Sequence, residues 1–231
     1  MEKGLQKTDC IEIAEVGMPN AECRELKYSI KRFYTPHSTF RLPTANKMEN
    51  PKSEIIKIAV VGPESTGKST MSAYLAKYYN TVWVPEFARE YCEKLTEPPT
   101  WQDEVNMFYG QLALEKQLLP QANKLLICDT TFITVKIWSD YTFGKSPQEV
   151  LDELPNRPYD LYLLLNIDLP WEEDPLRDFP DMREHFMEVW YKELEMLNAN
   201  YVLISGTGSE RYNNAVKAID EFVNEIRNSQ C

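Results

Sequence analysis

The run Gly62-Pro63-Glu64-Ser65-Thr66-Gly67-Lys68-Ser69 satisfies G-x-x-x-x-G-K-[ST] at every defined position. An apolar run over 55–61 precedes it, and a segment of helical spacing over 68–79 follows. Strand, glycine turn and helix in that order are the setting in which this motif cradles phosphate. Gly62 and Gly67 let the backbone curl until its N–H groups converge on phosphate oxygens. The helix start adds partial positive charge. Lys68 is placed to neutralise β- and γ-phosphates, and Ser69 to offer its hydroxyl to Mg²⁺. Glu64, Ser65, Thr66 and Thr70 complete the expected nucleotide-binding stretch.

The rest of the chain fits a sheet around that loop. Strands are expected over 55–61, 81–84, 125–128, 161–167 and 201–204. Helices are expected over 68–79, 87–95, 101–119, 132–143 and 210–226. Continuous apolar strands alternating with helices indicate a parallel sheet covered on both faces. The expectation is an α/β P-loop NTPase fold, with a five-stranded parallel sheet flanked by helices. Residues 154–180 carry five of the fifteen prolines, and 169–183 is charged and without period. That stretch reads as a mobile lid above the site, or as an ordinary surface loop. Residues 1–53 read as a poorly structured leader and linker before a domain over 54–231. Within them, 23–34 has the pattern of a short amphipathic helix, and 35–53 is rich in Pro, Ser, Thr and Asn. Met48 as the true initiator would account for a leader without pattern.

Charge narrows the partners. The net charge is −11, spread unevenly: residues 1–50 hold 8 basic and 7 acidic side chains, the remainder 17 and 29. A polynucleotide would be repelled by that body, whereas a small anion held by a few focused basic groups is compatible with it. No apolar run reaches the roughly 20 residues needed to cross a membrane, and the first residues lack the apolar core of a signal peptide. The five cysteines form no C-x-x-C pair, which suits a reducing cytoplasm. Nothing in the sequence sets the oligomeric state.

Two carboxylates are expected at the strands' carboxyl edge, where open α/β sheets bind ligands. Asp129 ends the third strand and either holds Mg²⁺ through water, touches the acceptor, or caps the following helix. Glu86 follows the second strand and can accept the proton of an attacking hydroxyl. Arg89, on the same helical face, can hold acceptor or phosphate, or simply pair with Glu86. Guanine recognition by N-K-x-D is missing, as is a transporter-type L-S-G-G-Q. An AAA-type motor would carry adjacent Asp-Glu where this chain has Asp129-Thr130-Thr131. A small-molecule kinase remains.

Further segments carry a resemblance. With the phosphate loop, Val84-Pro85-Glu86-Phe87-Ala88-Arg89-Glu90-Tyr91, Cys128-Asp129-Thr130, Tyr159-Asp160-Leu161-Tyr162-Leu163-Leu164, and Asp168-Leu169-Pro170-Trp171 with Asp174-Pro175-Leu176-Arg177 follow in order. Together they resemble the ribosylnicotinamide kinase domain of NadR-type proteins, from about residue 55 to 222. The resemblance implies transfer of the ATP γ-phosphate to the 5′-hydroxyl of nicotinamide riboside, giving nicotinamide mononucleotide, with Mg²⁺. Glu86 or Asp129 would be the base. Arg177 and Arg183 would close on the transferring phosphoryl group, or remain solvated loop charges. Trp171 would stack on the cationic ring, or plug the lid, and Asp174 would add negative charge near that ring. Residues 205–208 would border adenine or form a plain turn, while Trp138 and Tyr109 read as core aromatics. Two departures stand out. Position 131 is Thr where the family pattern continues with a second Asp, and the H-x-G-H-like motif of a nucleotidyltransferase is missing, so that activity is expected to be absent. The competing readings are a kinase for another nucleoside or vitamin alcohol, and a nucleotide-binding regulatory protein with residues 1–50 as its interaction arm.

Overall fold

The computed structural model describes residues 55–156 and 159–229, all within the unit Pro51–Cys231. The leader and linker expected over 1–53, the helix over 23–34 and Met48 as initiator lie outside the described residues.

The elements run β1 (Ile56–Val61), α1 (Lys68–Tyr78), β2 (Trp83–Val84), α2 (Phe87–Cys92), α3 (Trp101–Leu118), β3 (Leu125–Asp129), α4 (Phe132–Phe143), α5 (Gln148–Glu153), β4 (Leu161–Leu165), α6 (Arg183–Met196), β5 (Tyr201–Ile204) and α7 (Gly208–Ser229). The strands form one five-stranded sheet in the order β2-β3-β1-β4-β5, every neighbouring pair parallel. The central strand β1 alternates between two apolar layers. Ala59 and Val61 face a layer built with Phe108, Phe132 and Trp190, while Ile58 and Val60 face one built with Met71, Leu75 and Ile219. A strand buried on both faces is apolar wherever it is enclosed: β4 is so throughout, β1 from Ile58 to Val61 and β3 from Leu125 to Cys128, with Asp129 at its end. The register sets Val60 beside Asp129. The end of β3 is therefore level with the start of the phosphate loop. Among the described residues no helix is long and apolar enough to cross a membrane.

The structure shortens β2 relative to the expected 81–84. Thr81 is spent on helix exit and a corner: its N–H donates to the Ala76 carbonyl at 2.9 Å, and its hydroxyl accepts from Asn123 N at 3.0 Å. Two helices were not anticipated, α5 and α6. Helix α6 buries Phe186, Met187, Trp190, Glu193 and Leu194. The apolar stripe is interrupted by Glu193, which is tolerated there because Lys136 Nζ lies 2.6 Å from its carboxylate.

Candidate active site

Between β1 and α1 the chain makes the turn its glycines require. Gly62 has φ 138° and Gly67 φ 78°. A Cβ on Gly62 would sit 2.8 Å from the Leu165 carbonyl oxygen, so the loop closes on the end of β4 at a distance only glycine permits. Gly67 is the N-cap of α1, with no side chain capping the helix. The first N–H groups of α1 are left open to an anion. Lys68 folds back on the loop, where its Nζ donates to the Pro63 carbonyl at 2.8 Å. That carbonyl also accepts from the Thr66 hydroxyl at 2.9 Å.

Asp129 is 2% exposed, and its Oδ1 has no hydrogen-bond partner. Burial, then the charge of Glu86, pushes its pKa up to about 6, against the pull of Ser69, Lys68 and Arg89. It does not cap α4. Thr131 does, its hydroxyl accepting from Ile133 N at 3.2 Å, which gives the departure at position 131 a local purpose. Glu86 occupies the N-cap position of α2 but makes no cap bond, and its side chain lines the cavity. Magnesium takes oxygen ligands and keeps several waters when bound beside phosphate. The Ser69 hydroxyl, the orphaned Asp129 oxygen and Glu86 make a donor set that fits such an ion. Among the described residues no group of three or more His, Cys, Asp or Glu offers an all-protein metal site.

The segment after β4 crosses the phosphate loop. Glu172 N donates to Ser65 Oγ at 2.8 Å, and Ser65 Oγ donates to the Pro170 carbonyl at 3.4 Å. Burial raises the Glu64 carboxyl although the Phe179 N–H and Lys68 pull it down. Arg177 lines the cavity while its Nη1 donates to the Glu172 carbonyl at 2.6 Å. Three further expected site residues are placed as follows. Arg183 begins α6 rather than ending a loop, and it tethers: its guanidinium donates to the carbonyls of Leu169 at 2.9 Å and Ser65 at 3.2 Å. Trp171 does not line the cavity. Asp174 does not line it either, being paired with Arg89 and accepting Leu176 N at 3.0 Å. Those two bonds, the backbone one first, hold its carboxyl below the usual range.

One cavity of about 900 Å³ joins the phosphate loop, from Gly62 to Thr70, with Glu86 and Arg89 and with Glu104, Met107, Trp138, Phe186 and Trp190. This is the upper end of the roughly 300–1,000 Å³ range of small-molecule sites. Trp138, expected in the core, packs against it and also lines the cavity, with its ring 4.9 Å from that of Phe186. Residues 205–207 do not line it, whereas Tyr212 of α7 does. Arg211 was also missed. It is 4% exposed and ties the loop to its neighbours through the carbonyls of Thr66, Asn166 and Gly206 and the Asp168 carboxylate.

Glu104 was missed as well, although α3 carries a signal. Glu104, Phe108, Gln111 and Glu115 share a buried stripe, and polar residues on a buried stripe ask for an explanation. Burial pushes Glu104 from its ordinary 4.5 up to about 7, opposed by Ser139. A carboxyl raised on folding costs nothing below its unfolded pKa and destabilises above it. Wild-type stability is therefore expected to fall between about pH 4.5 and 7, by up to about 3 kcal/mol. Glu104→Gln is expected to remove that share of the slope and to leave the part due to Asp129, whose carboxyl is raised as well. Thermal melts of both proteins across this range check it, and parallel curves would contradict it.

Residues 57–211 match the family model described as an AAA domain, AAA_28. The trifunctional NAD biosynthesis/regulator protein NadR of Escherichia coli (strain K12) is 27% identical over 183 residues, 75% of this chain and 43% of that protein. Its Salmonella typhimurium counterpart is 25% identical over 177 residues, 73% of this chain and again 43% of that protein. The chain thus spans less than half the length of these curated relatives. A crystal structure of NadR protein in complex with NR superposes with a TM-score of 0.61 at 22% identity, covering 73% of this chain and 50% of that one. Deoxyadenosine kinase from M. mycoides superposes with a TM-score of 0.53 at 17% identity, over 72% of this chain and all of that one. At these identities the structures speak for the fold. An AAA-type motor is not expected from the sequence, because the adjacent Asp-Glu is missing after β3. The family description as an AAA domain applies to the chain all the same. With the match extending from β1 into α7, the chain belongs to the AAA domain family AAA_28.

Proposed function

We propose that this chain is an ATP- and magnesium-dependent nucleoside kinase of NAD salvage in the cytoplasm. Its reaction transfers the γ-phosphate to the 5′-hydroxyl of nicotinamide riboside. The observation that carries the reading is the cavity that joins a phosphate loop to a carboxylate, an arginine and an aromatic chamber. The NadR relatives and the ordered motif segments support the choice of acceptor. Gly62, Glu64, Ser65, Thr66, Gly67 and Thr70 surround the triphosphate, and Lys68 neutralises its outer phosphates. Ser69 and Asp129 would hold magnesium, which would supply positive charge to offset that of the phosphates. Glu86 orients the acceptor hydroxyl and takes its proton. Arg89 sets the acceptor's position through its bond to Asp174. Arg177 faces the transferring group from a lid over 169–182, where it offsets developing charge.

The test is thermal shift of the wild-type protein with a non-hydrolysable ATP analogue and Mg²⁺ against a nucleoside panel. A ligand that binds only the native state raises its melting temperature by mass action. Nicotinamide riboside is expected to give the largest rise. A larger rise with a purine or pyrimidine nucleoside would reassign the acceptor, and no rise with any nucleoside would overturn the kinase reading.

A further inference from the structure

Glu104 is 5% exposed, lies on the cavity wall and has an Oε2 with no hydrogen-bond partner. Thr134, on the same wall, likewise holds a buried hydroxyl without a partner. Buried polar atoms are normally paired, and a buried carboxylate persists where something compensates it. Among the described residues no basic side chain does so. The groups that act on Glu104 are Asp103 on its own helix, Ser139 on α4 and the thiol of Cys92 on α2. Trp138 supplies a flat indole on the same cavity, and an indole face attracts cations. The missing partner thus belongs to the ligand, and its chemistry is positive.

We infer that Glu104 is the specificity-determining residue of the acceptor chamber, selecting a nucleoside whose ring carries a fixed positive charge, with Trp138 as the ring's stacking face. The inference rests on the kinase reading above and replaces Trp171 and Asp174 as the source of acceptor selectivity. A fixed cation draws Glu104 into its ionised form, whereas a neutral ring leaves it protonated. Since the free carboxyl titrates at about 7, cation affinity is expected to strengthen as the pH rises through that value and then level off.

Steady-state kinetics with nicotinamide riboside and its neutral dihydro form test this. Glu104→Gln is expected to raise KM for the cationic riboside about 30-fold or more, the scale of unpairing a buried charge. KM for the neutral form and for ATP should move less than about threefold. The wild-type profile tests the inference without any variant: KM for the cationic riboside should fall from about pH 6 to about 8, and that fall should vanish in Glu104→Gln. Equal losses for both ribosides, no loss, or a flat wild-type profile would overturn the role of Glu104 and leave the kinase reading standing. Wild-type turnover of neutral nucleosides alone would overturn the inference and reassign the acceptor, and no turnover with any nucleoside would overturn both.

Discussion

Lys68→Ala is expected to lower phosphoryl transfer at least about 10³-fold while the variant melts close to wild type. A preorganised cation at developing phosphoryl charge is among the largest single contributions a site makes. The fold should hardly notice the change. Lys68 makes its hydrogen bond to the Pro63 carbonyl within its own loop, and neither apolar layer includes it. The backbone of the loop is held independently, by the left-handed Gly67 and by Thr66 on the Pro63 carbonyl. Steady-state rates and a melting curve on the same preparation check it. Near-normal turnover in a folded variant would contradict the role given to Lys68.

Arg211→Met is expected to cost about 3–5 kcal/mol of stability, the usual loss when one partner of a buried charge network is removed. Methionine keeps much of the stem's volume, so packing loss is small and the change isolates the guanidinium. Its removal leaves the carbonyls of Asn166 (2.8 Å), Thr66 (3.1 Å) and Gly206 (3.2 Å) without their donor. Asp168 loses a cation at 3.2 Å and keeps the Gly206 N–H at 2.7 Å. For a domain of this size the melting temperature should fall by roughly 10 °C. Because Thr66 belongs to the phosphate loop, nucleotide affinity should fall too. Denaturant unfolding of variant and wild type checks it, and a difference under about 1 kcal/mol would contradict it.

The sheet and its loop were legible because their determinants are local. β1 and β4 announce themselves as apolar runs, and the glycines of the loop mark a turn that the backbone then makes. The position of Asp129 at a strand end followed from the same local pattern. What escaped depends on partners distant in sequence. Helix α6 was hidden because Glu193 sits on its buried face, held by Lys136, 57 residues earlier. Arg183 read as a lid charge that closes on the phosphoryl group, and Arg211 was not singled out, since nothing near them in sequence shows that they bind carbonyls of the phosphate loop. The placing of the two tryptophans escaped for a related reason. Helical spacing shows that Trp138 turns inward but not whether it meets core or cavity. Trp171, in a segment without period, offered no spacing to read.

The central claim is tested most directly by incubating the wild-type protein with ATP, Mg²⁺ and nicotinamide riboside and identifying the products by mass spectrometry and phosphorus NMR. The account predicts nicotinamide mononucleotide and ADP in equal amounts, dependent on Mg²⁺ and lost in Lys68→Ala. Failure to form any phosphorylated riboside, or ATP hydrolysis at the same rate with and without the acceptor, would contradict it.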